Sequence, residues 1–319
     1  MNRVLPRALR PGDPIAVLAP ASGVRDADAL QRGLARWRQW GFLPELLPHA
    51  TSKLDWPAGG PLAATDALRL ADLQEAISNE RYRAIVAVRG GYGTARLLPH
   101  VDLAPLRRDP KPILGYSDLT ALLAAVWRDG GLVGFHGPML ATTAAMDPGP
   151  DGWALQRRLL TDATAAAALP AAEARGLCPG TAEGPLLGGN LALVQSLLGT
   201  PWQLDTTGAL LVLEDIGEAP YRVDRMLTQL RQAGVLDRAA GVVLGDFHVD
   251  GTELGSAAPA MTRVLDERLA DLPIPVALGF PIGHRPGAWT LPFGVRARLA
   301  APGRGEPATL QLLEPAVRA

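Results

Sequence analysis

Apolar positions in the first half of the chain follow two alternating rhythms. Short unbroken apolar runs, Ile15–Ala19 (IAVLA), Phe42–Leu47, Ala84–Val88 (AIVAV) and Pro112–Leu114, read as buried strands. Between them the spacing turns helical. Asp28–Trp40 sets Leu30, Leu34 and Trp37 on one face and arginines on the other, and Ala63–Ile77 and Leu119–Trp127 obey the same rule. The punctuation agrees: Pro20 and Ser22-Gly23 end the first strand, Gly41 stops the first helix, and Gly130-Gly131 closes the third. Strands alternating with helices predict βαβ units, a parallel sheet and a doubly wound α/β domain.

The second half is less regular. Thr161–Arg175 (TDATAAAALPAAEAR) is alanine-rich and broken by Pro170, which suits a linker, although an exposed helix has the same composition. Beyond it, Gly188–Leu198 reads as the start of a helix. Ala209–Leu213 and Gly241–Leu244 read as strands, and Val223–Ala233 and Met261–Leu269 as helices. The tail Val295–Leu313 alternates apolar and polar residues as antiparallel strands do. The expected organisation is an N-terminal α/β domain over 1–160, a linker over 161–180, and a smaller mixed α/β domain over 181–319 with a β-rich end.

Composition narrows the function classes. A length of 319 residues is long for one domain and comfortable for two. With 31 basic and 32 acidic residues the net charge is -1, so there is no basic footprint for nucleic acid and no polybasic membrane signal. A small or zwitterionic partner is expected. Cys178 is the one cysteine, which excludes an intrachain disulfide and a CxxC-type metal or redox site. The N-terminal stretch is interrupted by Pro6, Pro11 and Pro14, and no run approaches the roughly 20 apolar residues that span a bilayer. A cytoplasmic location is expected.

Four patches could carry chemistry. In KPILGYSDLTAL (Lys111–Leu122) a short strand ends at Gly115 and a helix begins just after Ser117. That places the serine at the carboxyl edge of the sheet beside free helix N–H groups, although a helix cap would look the same. VRGGYGT (Val88–Thr94) also follows a strand. Its glycines permit close backbone approach to an oxyanion or a phosphate, or simply a tight turn. LVLEDIGEAPYRVD (Leu211–Asp224) puts Glu214 at the end of an apolar strand, positioned without deep burial. Asp215 and Glu218 are its rivals, and the three together could bind a divalent metal or merely form a solvated edge. GFPIGHRPGAWTLPF (Gly279–Phe293) sets His284 in a loop; among the five histidines, His136 in GFHGPM competes with it.

In combination these patches resemble the murein L,D-carboxypeptidase family of serine peptidases, which includes the microcin C self-immunity peptidases. The matching residues are AVRGGYGTARLL (Ala87–Leu98), GYSDLTAL (Gly115–Leu122), GPML (Gly137–Leu140), LLGGNLALVQSLLGTPW (Leu186–Trp202), LVLEDIGEAPYRVDRML (Leu211–Leu227) and GHRPGAWTLPFG (Gly283–Gly294). They run in family order over most of the chain.

The resemblance implies a flavodoxin-like N-terminal domain and a swivelling β/α C-terminal domain with the site between them. It also implies a catalytic triad of Ser117, Glu214 and His284 and an oxyanion hole from the backbone N–H groups of Gly91 and Asp118, with neither metal nor cofactor. The implied substrate is the cytoplasmic muropeptide L-Ala-γ-D-Glu-meso-diaminopimelate-D-Ala, cleaved to release D-Ala in peptidoglycan recycling by a homodimer. The microcin branch of the resemblance cleaves aminoacyl-nucleotide conjugates and holds the base on aromatic side chains. Between Trp153 and Trp202 this chain has no Phe, Tyr or Trp. A non-catalytic ligand-binding module needs no triad, and a nucleotide enzyme using GGYG as a phosphate loop lacks the following lysine.

Overall fold

The computed structural model describes residues 3–55, 62–143, 146–166, 168–169, 171–249 and 258–319. The first half alternates as its hydrophobic pattern predicts: β1 (Pro14–Leu18), α1 (Ala27–Gln39), β2 (Leu43–Leu46), α2 (Asp66–Ser78), β3 (Ala84–Ala87), α3 (Pro105–Arg108), β4 (Ile113–Gly115), α4 (Thr120–Gly130), β5 (Gly134–His136) and α5 (Gly149–Thr161). The five strands are parallel and lie in the order β2-β1-β3-β4-β5, the flavodoxin-like arrangement. β1 and β3 are apolar because helices cover both faces of the sheet, and nearly every residue of the two is buried. Helix α1 starts where the Asp26 side chain accepts from the Ala29 N–H at 2.9 Å, and it buries Leu30, Leu34 and Trp37. The strand order reverses between β1 and β3, which opens a crevice at their carboxyl ends.

The second half adds β6 (Ala168–Leu169), β7 (Arg175–Cys178), β8 (Gly180–Asn190), α6 (Leu191–Ser196), β9 (Leu210–Ile216), α7 (Pro220–Gln232), α8 (Val235–Arg238), β10 (Gly241–His248), α9 (Pro259–Leu269), β11 (Val276–Leu278), β12 (Leu291–Phe293), β13 (Arg296–Ala301) and β14 (Thr309–Leu312). All but β12 form one mixed sheet, ordered β6-β14-β13-β8-β9-β10-β11-β7. Its centre, β8 to β11, is parallel. The antiparallel tail strands β13 and β14 extend one side and β7 the other. The alanine-rich stretch is where the chain passes from one sheet to the other, and it does so hydrogen-bonded. β6 pairs with β14 and β7 with β11. Pro170, which marked that stretch, lies outside the described residues.

Three features depart from the sequence expectations. Gly188-Gly189 do not open a helix. They end β8 at φ +136° and +131°, and a Cβ on Gly188 would stand 1.9 Å from the Val212 carbonyl oxygen, so only glycine allows β8 to lie against β9 there. The helix starts later, at Leu191, capped by the Asn190 side chain, which accepts from the Leu193 N–H at 3.2 Å. β9 runs on to Ile216, so Glu214 lies inside a strand and is fully buried, not lightly covered at a strand end. Finally, the loop expected over Gly279–Phe293 ends in β12, which crosses to the first sheet and pairs antiparallel with β5, Leu291 opposite His136 and Phe293 opposite Gly134. Among the described residues no helix is long and apolar enough to cross a membrane.

Candidate active site

Ser117 lies one residue beyond β4, after Tyr116, and has φ +62°, the only non-glycine residue with positive φ among those described. For an L-residue that conformation costs roughly 1–2 kcal/mol, so the surrounding turn must impose it. The capping alternative is not realised: neither the 3₁₀ turn at Ser117–Leu119 nor α4 has a side-chain cap. Such a strained, half-exposed serine at a strand-to-helix turn has the mechanics of a nucleophile elbow.

The neighbouring loop is built around it. A Cβ on Gly90 would lie 2.9 Å from Ser117 Cβ, and one on Gly91 would lie 2.2 Å from Ser22 Oγ, so both glycines are required by close approach. The Ser22 hydroxyl accepts from the Tyr92 N–H at 3.2 Å, and buried Asp118 accepts from the Thr94 N–H at 2.7 Å, which ties the serine turn to the glycine loop. Burial pushes the Asp118 carboxyl up, and the hydrogen bonds from Thr94 oppose it. Arg69, fully buried on α2, clamps the assembly from beneath. Its guanidinium donates to the carbonyls of Ala64 (3.2 Å), Gly93 (3.0 Å) and Pro20, and pairs with Asp66 at 2.5 Å. The sequence signal for Arg69 was available: it occupies the same buried stripe of α2 as Leu73, Ala76 and Ile77, where a charge needs a reason.

Glu214 and Asp215 are adjacent on β9 and therefore point to opposite faces of the sheet. Asp215 accepts from Asn190 Nδ2 (2.8 Å) and from the N–H groups of Ala192 (3.0 Å) and Ile216 (2.8 Å). Burial and the charge of Glu214 raise its carboxyl to about 7 against those three donors. Glu214 accepts instead from His284 Nδ1–H at 2.7 Å. Glu218 is partly buried and faces the exposed Arg222 at 3.5 Å. Glu214 is held chiefly by His284, Asp215 by Asn190 and two backbone N–H groups, and Glu218 lies out beside Arg222, so the three acids do not converge on one point. Gly283 makes the Glu214–His284 contact possible, because a Cβ there would stand 2.3 Å from Glu214 Oε2.

Burial alone would lower the His284 pKa, but the charge and hydrogen bond of Glu214, with Asp215 and Asp246 behind, raise it above the ordinary histidine value. Burial acts oppositely on Glu214 and would raise its pKa; the His284 contact, His136 and Asn190 outweigh it and hold the carboxyl below the usual range. With Nδ1 committed to Glu214, His284 keeps Nε2 for the cavity of about 400 Å³ that it lines together with Ser117, Gly90, Gly91 and Arg89. A larger groove of about 690 Å³ between α1 and α5 contains none of these groups and is not taken as the site. Tyr116 packs its ring 4.6 Å from His284. The rival His136 is buried and stacked on Phe293 at 5.0 Å; burial lowers its pKa to about 4, so it is a neutral wall residue.

A strained serine and a carboxylate-bound histidine lining one cleft form the arrangement of a serine hydrolase. Comparison with known proteins gives the family. The LD-carboxypeptidase N-terminal domain model matches residues 15–137 and the LD-carboxypeptidase C-terminal domain model matches residues 183–299. A probable murein peptide carboxypeptidase of Bacillus subtilis is 38% identical, over 92% of this chain and 91% of that protein. The murein tetrapeptide carboxypeptidase of Pseudomonas aeruginosa is 31% identical, over 89% and 92%. Among solved structures, an MccF-like protein from Bacillus anthracis superposes with a TM-score of 0.85 over 98% of this chain and 99% of its own, at 24% identity, a likeness of fold. The chain belongs to the LD-carboxypeptidase family and is a serine-type carboxypeptidase.

Proposed function

We propose that the protein is an L,D-carboxypeptidase that removes terminal D-Ala from the murein tetrapeptide L-Ala-γ-D-Glu-meso-diaminopimelate-D-Ala, in the cytoplasm, as a step of peptidoglycan recycling, and that it works as a homodimer. The observation that carries the chemistry is the positive φ of Ser117 beside a cleft that it shares with Glu214-bound His284. The substrate class follows the names of the Bacillus and Pseudomonas relatives. The proposal includes the division into residues 1–160, 161–180 and 181–319, with the site between the two larger parts.

In this reading Ser117 is the nucleophile, His284 the general base and Glu214 the group that orients the imidazole. His284 Nε2 takes the hydroxyl proton as Ser117 Oγ attacks the scissile carbonyl, and Glu214 stabilises the imidazolium that results. The oxyanion receives the N–H groups of Gly91 and Asp118, each donor worth roughly 3–4 kcal/mol in such sites. Collapse breaks the C–N bond, and His284 returns the proton to the departing amine of D-Ala. A water, deprotonated by the same nitrogen, then cleaves the acyl-serine and restores the hydroxyl. No step calls on a metal or a cofactor.

The second reading, cleavage of aminoacyl-nucleotide conjugates, is favoured by the fold likeness to the MccF-like protein. Against it stands the lack of aromatic residues between Trp153 and Trp202. A missing stacking platform costs a nucleotide roughly 1–3 kcal/mol, about ten- to a hundredfold in affinity, and leaves a peptide unaffected. Side-by-side kcat/KM values on the tetrapeptide and an aminoacyl adenylate are the test, with EDTA present in a parallel series. Strong preference for the tetrapeptide, unchanged by chelator, is expected. Equal or reversed preference points to stacking by Trp202 or Tyr92 and removes the muropeptide assignment. Chelator inactivation reversed by zinc or manganese removes the triad.

A further inference from the structure

A serine hydrolase becomes a carboxypeptidase only if something selects peptides by their free end. That end is an anion, and its carboxylate carbon lies three covalent bonds from the scissile carbonyl carbon. The group that recognises it must therefore sit within a side chain's width of the nucleophile.

The cavity holding Ser117 and His284 has two cationic side chains in its wall, Arg25 and Arg89. Arg89 follows β3 by two residues and immediately precedes Gly90-Gly91, the loop packed on Ser117. Its head group turns back along that loop: Arg89 Nη2 is 3.6 Å from where a Cβ on Gly91 would be, while Ser117 Oγ is 3.1 Å from where one on Gly90 would be. Nucleophile and guanidinium thus border neighbouring residues of one loop.

The charge on Arg89 is left uncompensated. Among the described residues its side chain bonds to the Gly23 carbonyl at 3.3 Å, a neutral and long contact, and no carboxylate pairs with it. Burial disfavours its cation, and Arg25 repels it further. Asp26, the one acid in the cavity wall among the described residues, is committed elsewhere, accepting from the Ala29 N–H at 2.9 Å and facing Arg32 at 3.7 Å. Two like charges lining one cleft, with its acid engaged elsewhere, are stabilised by an anionic ligand. A guanidinium offers a carboxylate a planar fork of donors.

We propose that Arg89, supported by Arg25, binds the terminal carboxylate of the peptide and is the residue that makes this hydrolase a carboxypeptidase. The inference rests on the peptidase reading above and deepens it by assigning the subsite for the leaving amino acid. Arg89 holds that end of the substrate so that the scissile carbonyl lies over Ser117. A chain continuing past the D-Ala residue has no charge to offer and meets the partly buried cation of Arg89 instead.

The experiment compares the tetrapeptide with the same peptide ending in D-alaninamide, following release of D-Ala or D-alaninamide by the wild type, Arg89→Gln and Arg89→Lys. The readout is the ratio of kcat/KM for acid over amide. The wild type is expected to favour the acid by ten- to a hundredfold or more, consistent with a hydrogen bond to a charged group worth roughly 1.5–3 kcal/mol. Arg89→Gln should bring the ratio near one, mostly through KM, and Arg89→Lys should restore part of it. Thermal unfolding of each variant reports whether it is folded. A folded Arg89→Gln protein that keeps the wild-type ratio overturns the assignment, and so does a wild type that takes acid and amide equally. Both results leave the peptidase reading standing. A wild type that releases neither product overturns that reading and the subsite with it.

Discussion

At the scale of single residues, the backbone of Ser117 separates a catalytic role from a structural one. Its positive φ is unfavourable for any residue with a Cβ, and glycine escapes that cost. Ser117→Ala and Ser117→Gly should both abolish peptide turnover, but Ser117→Gly should be more stable than the parent by about 1 kcal/mol. Activity assays with denaturant melts check this. Residual turnover in either variant removes Ser117 as the nucleophile, and a less stable glycine variant means that the strain is not real. Glu214 and Glu218 give a second comparison. Glu214→Gln loses the charge that orients and stabilises the imidazolium, a loss of roughly ten-thousandfold where the equivalent acid of a serine protease is replaced. Glu218→Gln should change little, since its partner Arg222 is on the surface. The pH dependence adds a sign. A general base must be neutral, so activity falls on acidification through the His284 pKa, which lies above the ordinary value of about 6.5. In Glu214→Gln the burial that lowers that pKa remains and the attraction that raises it is gone, so the acidic limb of kcat/KM should move to lower pH. A limb that stays in place would assign it to another group, Asp215 foremost.

At the scale of elements, the glycine loop after β3 depends on a helix that touches no substrate. Arg69 on α2 donates to three carbonyls of three segments, Pro20, Ala64 and Gly93. Arg69→Met keeps the stem and strands those acceptors in the interior, at a cost of about 3 kcal/mol or more. It should lower Tm and depress kcat together, because the loop bearing Gly91 loses its anchor. A variant with normal stability and activity would show that the loop holds itself. The elements that could be read from sequence are those with a period of their own. β1, β3, β9 and β10 are apolar runs, and α1, α2, α7 and α9 carry apolar stripes. β8 could not be read that way. GTAEGPLLGGN has neither rhythm, and it is a strand because β9 and β13 hydrogen-bond to both its edges. Three-residue strands such as β5 and β12 are too short to show alternation. For the same reason the site was legible only as motifs. Nothing in LVLEDIGE distinguishes Glu214 from its two neighbours in acidity until the pleat of β9 turns one to His284 and the next to Asn190.

At the scale of the whole molecule, the two sheets are locked together beside the nucleophile. Thr120, the first residue of α4, accepts from the Asn190 N–H at 3.0 Å, and a Cβ on Gly189 would lie 2.5 Å from the same hydroxyl. On the far side β12 leaves the second half of the chain to pair with β5 in the first sheet, and it carries with it the segment that contains His284. Residues 1–160 made alone therefore present β5 with an unpaired edge, a template for association with other chains. The fragment should aggregate or melt without cooperativity, and co-expression with 161–319 should rescue it; size-exclusion chromatography and thermal unfolding decide. A monomeric, cooperatively folding fragment would show that the β5 edge needs no partner. The pairing also fixes an order of events during synthesis. Leu291 leaves the ribosome 155 residues after His136, the residue it pairs with. If Ser117 and His284 act as proposed, the serine is without its base until that pairing forms, and the newborn chain would pass through translation unable to attack peptides in its surroundings.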